Sequence, residues 1–165
     1  MDNFILFPTA IEIQIYNSLL LKFFNQPLEE RLAKHGVRIS SLQYGILRML
    51  QGETLTISVL SQRLGIDPST LVRSVDGLER LELARRGRDP HDRRRNPIQI
   101  TDKGLLLLTD IPPITPQDQT FQALQSLGID KALQLKDLLS QLIKEFPEGK
   151  LVADLMEQQN KPPDY

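Results

Sequence analysis

The feature that most restricts this fold is a pair of short amphipathic segments, Ile57–Leu64 and Pro68–Leu81, separated only by Gly65-Ile66-Asp67. Thr56 offers a hydroxyl to cap the first segment, and Gly65 closes it. Asp67 accepts from the free N–H groups that open the second, while Pro68 takes the first helical position, where a missing N–H costs nothing. Leu71, Val75 and Leu78 then recur on one helical face. Directly afterwards come Leu83–Gly87, a charged turn over Arg88–Arg95, and the alternating Ile98-Gln99-Ile100, which read as a β-hairpin with a long tip. Helix, turn, helix, hairpin is the order of a winged helix-turn-helix, a mainly α fold with a small β-hairpin wing.

The flanks are helical as well. Ser40-Ser41-Leu42-Gln43 is a Ser-x-x-Gln capping box that opens a helix bearing Leu42, Ile46, Leu47, Met49 and Leu50, ended by Gly52. Thr54-Leu55-Thr56 is short and extended. Upstream, Tyr16, Leu19, Leu20, Phe23 and Phe24 share a helical stripe, with Ala10, Ile11, Ile13 and Ile15 on other faces. A helix apolar on most sides must be covered on most sides, and in so short a chain a second subunit is the expected cover. Pro27 is expected to kink or end this helix, leaving Leu28–His35 as a separate stretch closed by Gly36. Downstream, Thr101 caps a helix through Leu108, and Pro112, Pro113 and Pro116 break it. Ile129–Phe146 carries Leu135, Leu138, Leu139, Leu142, Ile143 and Phe146 at i, i+3, i+4 spacing. The expected organisation is an N-terminal dimerisation region over 1–36, a winged helix over 37–104, C-terminal dimerisation helices over 105–148, and a tail over 149–165 that ends frayed.

Composition excludes several classes. No cysteine is present, so disulfides, thiolate zinc sites and thiol redox switches are excluded. Met1-Asp2-Asn3 lacks the basic start of a signal peptide, and Pro8, Glu12, Gln14, Asn17 and Lys22 make 4–24 a poor membrane span. A soluble cytoplasmic protein with no membrane partner is expected. There is no Gly-x-Ser-x-Gly elbow, P-loop, Gly-x-Gly-x-x-Gly or carboxylate pair placed for acid–base work, so no enzyme and no cofactor is expected. Asp89, His91 and Asp92 read as a polar turn rather than an ion site.

Net charge is −1, yet its distribution is uneven. Six arginines (Arg85, Arg86, Arg88, Arg93, Arg94, Arg95) stand against two acids between 85 and 95, whereas from Gly104 onward nine acids face five lysines. A basic stripe on an acidic remainder suits attraction to nucleic acid at one surface. The outer face of Pro68–Leu81 carries Ser69, Thr70, Arg73, Ser74, Gly77 and Arg80. Small residues let the backbone approach bases or phosphates, and Arg73 can fork onto a guanine edge. An ordinary solvated face and a solvated charged hairpin are the competing readings, although the Glu/Lys ladders of such a face are missing.

Leu55-Thr56-Ile57, Leu60, Leu64-Gly65-Ile66-Asp67-Pro68-Ser69-Thr70, Leu78-Glu79, Asp89-Pro90-His91-Asp92-Arg93-Arg94 and Ile100-Thr101-Asp102-Lys103-Gly104 together resemble the MarR family of bacterial regulators. The resemblance is strong over 37–108 and holds for the flanks by layout. It implies a homodimer whose N- and C-terminal helices interlock, and a regulator, a repressor by expectation, on inverted-repeat double-stranded operator DNA. It also implies that Ser69, Thr70, Arg73 and Ser74 read the major groove, with Arg80, Arg88 and Arg95 nearby. Arg93 or Arg94 would enter the minor groove while Asp89 or Asp92 steadies the tip. A small lipophilic or aromatic effector would wedge beside Tyr16, Leu20 and Tyr44, each of which reads equally as core. Glu82 stands where the family has Gly, so the left-handed helix end is expected to be made differently. Val59 replaces a capping acid, and Pro97 is expected to delay the returning strand. The alternative is a winged helix used for protein contact without DNA binding.

Overall fold

The structure, a computed structural model, describes residues 2–87 and 96–159. α1 (Asp2–Lys34) runs unbroken for 33 residues through both Pro8 and Pro27, so the expected break at Pro27 does not occur. An interior proline costs about 3 kcal/mol. Just beyond it, Leu28 and Leu32 are buried in the core, and burying a leucine contributes roughly 1.5–3 kcal/mol. Continuing the helix keeps both in place, and Gly36, at φ 74°, then turns the chain. By length and composition alone, 4–34 also suffices to cross a membrane, in contrast to the poor span expected.

α2 (Ser41–Leu50) begins with the expected capping box: Gln43 N–H donates to Ser40 Oγ at 3.2 Å, and Ser40 N–H to Gln43 Oε1 at 3.0 Å. α3 (Ile57–Leu64) is capped by Thr56 and closed by Gly65 at φ 63°. α4 (Pro68–Arg80) packs against α2 and α3, with Leu71, Val75 and Leu78 fully buried. β1 (Ala84–Arg86) and β2 (Ile98–Ile100) pair antiparallel in the register Ala84↔Ile100, Arg85↔Gln99, Arg86↔Ile98. Leu55 adds a bridge to Ile98 on the far edge of β2. β2 starts just after Pro97, which has no N–H to give the ladder but whose carbonyl accepts from Gly87 at 2.7 Å.

α5 (Asp102–Asp110) opens on the Thr101 cap. Gly104 is required there, because a Cβ would lie 2.3 Å from the Leu83 carbonyl. The proline run then leads into α6 (Gln119–Leu127), a helix that no sequence signal announced. α7 (Ile129–Lys144) is followed by α8 (Pro147–Gln159), which occupies most of the expected tail and packs on α3 and α7. The core lies inside the winged helix. Ile46, Leu47, Leu60, Leu71, Val75, Leu78 and Ile98 are all completely buried there.

Arg31 fastens α1 to the proline run. Its guanidinium pairs with Asp118 at 2.6 Å and donates to the carbonyls of Pro112 and Pro113. Burial pushes the Asp118 carboxyl upward, but donors from Thr115 and Arg31 outweigh it and hold it below the usual carboxylate range.

Candidate nucleic-acid interface

The exposed side of α4 is built by the turn before it. Ser61 Oγ donates to the Ile66 carbonyl at 2.7 Å, closing the α3–α4 corner. Asp67 Oδ1 accepts from Ser69 N–H at 2.7 Å. Hydrogen bonds from Ser69 keep the Asp67 carboxyl below its ordinary range, so it stays ionised on the positive end of the helix. α4 has 13 residues, giving roughly 20 Å of helix, enough to lie along a major groove.

Ser69, Thr70, Arg73 and Arg80 are exposed and Ser74 is half-buried, so the predicted reading residues share the surface left free by the core face. Ser74 Oγ donates to the Thr70 carbonyl at 2.9 Å and keeps its lone pairs outward. Gly77 departs from expectation. It is buried beneath Gln43 rather than presented outward, and a Cβ there would meet Gln43 Nε2 at 2.4 Å.

The end of α4 corrects another expectation. Glu82 itself adopts the left-handed conformation, φ 59°, where the family has glycine. Glu82 N–H reaches the Glu79 carbonyl and Leu83 N–H the Leu78 carbonyl, both at 2.9 Å, the two bonds of a Schellman motif. The fit of Leu83 into the core outweighs a strain of about 1–2 kcal/mol for a side chain at positive φ.

The wing is tied to α4 by Arg86, which the sequence pattern alone places only in the basic stripe. Arg86 pairs with Glu79 and, at 2.7 Å, with Asp76, and its N–H donates to Glu79 Oε1 at 2.8 Å. Its charge is therefore spent within the protein. The i, i+3 spacing of Asp76 and Glu79 was the signal that could have found this link. Arg85 stays exposed beside Gln99. Arg88, Asp89, Asp92, Arg93, Arg94 and Arg95 lie outside the described residues.

The effector candidates are not brought together. Tyr44 is buried, its hydroxyl donating to the Ile111 carbonyl. Burial also raises its pKa above the usual phenol value. Leu20 lines a groove of about 720 Å³ with Phe23, Phe24, Leu124 and Leu139, a groove that includes neither tyrosine. Tyr16 is exposed on α1.

Residues 35–95, which hold the turn, α4 and the wing root, match the sequence profile of the MarR family. That stretch is similar to the MarR family and folds as a winged helix. The regulator MhqR of Bacillus subtilis (strain 168), an HTH-type transcriptional regulator, is 28% identical over 106 residues, covering 63% of this chain and 71% of MhqR. A MarR variant from E. coli, solved with operator DNA, superposes with TM-score 0.72 at 22% identity, covering 83% of this chain and 97% of that one. A MarR regulator from Methanosarcina mazei gives 0.67 at 24% identity, over 81% of this chain and 94% of the other. MhqR and the Methanosarcina mazei protein are both described as transcriptional regulators.

Proposed function

We propose that this protein is a homodimeric repressor that binds an inverted-repeat operator in double-stranded DNA, in the cytoplasm, with α4 in the major groove. The observation that carries this reading is the two-sidedness of α4. Leu71, Val75 and Leu78 fix one side in the core, while Ser69, Thr70 and Arg73 are left together in solvent. The E. coli relative was solved on operator DNA, and CouR, at TM-score 0.66 and 24% identity over 78% of this chain and 89% of its own, on a 23-mer duplex. Both support the docking.

Dimerisation is supported by the arms. Phe4, Phe7, Ile11, Leu138, Leu139 and Leu142 are all exposed, more large apolar side chains than a soluble chain ordinarily leaves in water. Two recognition helices about 34–36 Å apart would then meet successive major grooves. Release by a lipophilic ligand fits the groove lined by Leu20, where a bound apolar molecule bears directly on the arms. Of the effector candidates, only Leu20 is retained in that role.

The test is an anisotropy titration on genomic fragments at several salt concentrations. Log affinity should fall with log salt by about 0.9 per phosphate neutralised. Arg73→Ala should weaken specific binding by about 1–3 kcal/mol and relax preference at one base position. Absence of binding at low salt, or a flat salt response, would support the protein-contact reading instead. Full specificity in Arg73→Ala would refute this docking.

A further inference from the structure

Gln43 does more than cap α2. Its side-chain amide is divided between two elements: Oε1 accepts from Ser40 N–H at 3.0 Å, closing the capping box, while Nε2 donates to the Ser74 carbonyl of α4 at 3.1 Å. Gly77, one turn further along α4, leaves the room this amide occupies, since any Cβ there would meet Nε2 at 2.4 Å. On the other side, Ser41 N–H donates to Glu29 Oε1 of α1 at 3.2 Å. Hydrogen bonds therefore run from α1, through the first residues of α2, to the α4 backbone beside Arg73. Two residues along α1 from Glu29, Arg31 grips the proline run that leads to α6.

We propose that Gln43 is a positioning residue that holds α4 at a set angle to the arm helices, and thereby sets which half-site spacing the dimer accepts. The inference rests on the DNA-binding reading above. The lever arm is short but sufficient. Ser69 lies five residues before Ser74, so tilting α4 by roughly 10° about Ser74 would move Ser69 by about 1.3 Å. Hydrogen bonds to base edges tolerate only a few tenths of an ångström. In a two-fold dimer the same tilt acts on both half-sites, so it changes their separation as well as each local fit.

Two substitutions separate positioning from capping. Gln43→Glu keeps an acceptor for Ser40 N–H, because Glu serves equally in a capping box, but turns an anionic oxygen toward the Ser74 carbonyl in place of a donor. Gly77→Ala displaces the same amide while improving helix propensity, so it breaks the link without weakening α4. The probes are fluorescent duplexes selected from a randomised library by the wild-type protein, with companions that have one base pair added or removed between half-sites. Both variants should keep the wild-type oligomeric state, melting temperature within a few degrees, and salt slope. Each should bind the best duplex about tenfold more weakly, while its preference for that spacing over the altered ones falls by about fivefold or more. Unchanged spacing preference in Gly77→Ala, or in folded Gln43→Glu, would overturn the proposal even with DNA binding intact. If the wild type selects no duplex, it is the DNA-binding reading that fails.

Discussion

α4 and α7 are comparable helices, 13 and 16 residues long, and both carry apolar side chains at helical spacing. Yet α4 buries Leu71, Val75 and Leu78 completely, while α7 buries nothing. The same division runs through the molecule. α2, α3 and α4 start on side-chain caps and surround a shared interior with the hairpin, whereas α6 and α7 have no side-chain cap bond and residues 4–24 of α1 lie open. A winged helix of this size can satisfy its own apolar faces. The arms cannot, and in the proposed dimer a second copy would cover their leucines.

The largest effect should come from attacking that difference directly. Leu139→Lys places a charge in each of two symmetry-related arm surfaces and should weaken dimerisation by about 4–6 kcal/mol. Sedimentation should show monomers with unchanged helical circular dichroism. A dimer that persists would mean that α7 is not the covered face. Next, Leu78→Ala removes a fully buried side chain from α4 and should cost about 3–4 kcal/mol in chemical denaturation, whereas Leu138→Ala should cost under 1 kcal/mol in the isolated protomer. Equal losses would erase the contrast.

Asp118→Asn tests the junction between the two regions. It leaves Arg31 without its counter-charge and should cost about 2–3 kcal/mol at neutral pH, discounted for the guanidinium's partial exposure. The sign with pH follows from the depressed carboxyl. The contribution is complete above the unfolded carboxylate value of about 3.9 and is lost as pH falls through the lower folded value. The gap between wild type and variant should therefore close in acid; a gap that widens there would refute the assignment. Asp67→Ala removes the α4 cap and should lower the thermal unfolding midpoint by a few degrees. The smallest change runs the other way. Glu82→Gly relieves a positive φ and should stabilise by about 0.5–1 kcal/mol, and any loss would show that the ion pair Glu82 makes with Lys103 at 3.5 Å matters more than strain.

How much was legible depends on whether a signal was local. The Ser40 and Thr56 caps, the Gly65 stop, the Asp67-Pro68 start and the Leu71, Val75 and Leu78 face are all written within a few residues. The exposed residues proposed to meet DNA follow as the complement of that face. Pro27 misled because its cost is local while the compensation, burial of Leu28 and Leu32, is tertiary. Gly77 misled in the same way: on a helical projection it shares a side with Arg73 and Arg80, and only the position of Gln43 shows it to be covered. α6 went unread because its start has no side-chain cap and its anchoring carboxylate, Asp118, turns to Thr115 and Arg31.

The sequence by itself determined the order of α2, α3, α4, the hairpin strands and α5, the turn before α4 and the side of α4 that faces outward, because caps, stops and periodicity act over one or two turns. Only the tertiary structure decided that Arg86 serves α4 and is not free for DNA, that Glu82 accepts a left-handed backbone, and that Gln43 joins α2 to α4. These depend on groups distant in sequence meeting at hydrogen-bond range, and no local pattern contains that distance.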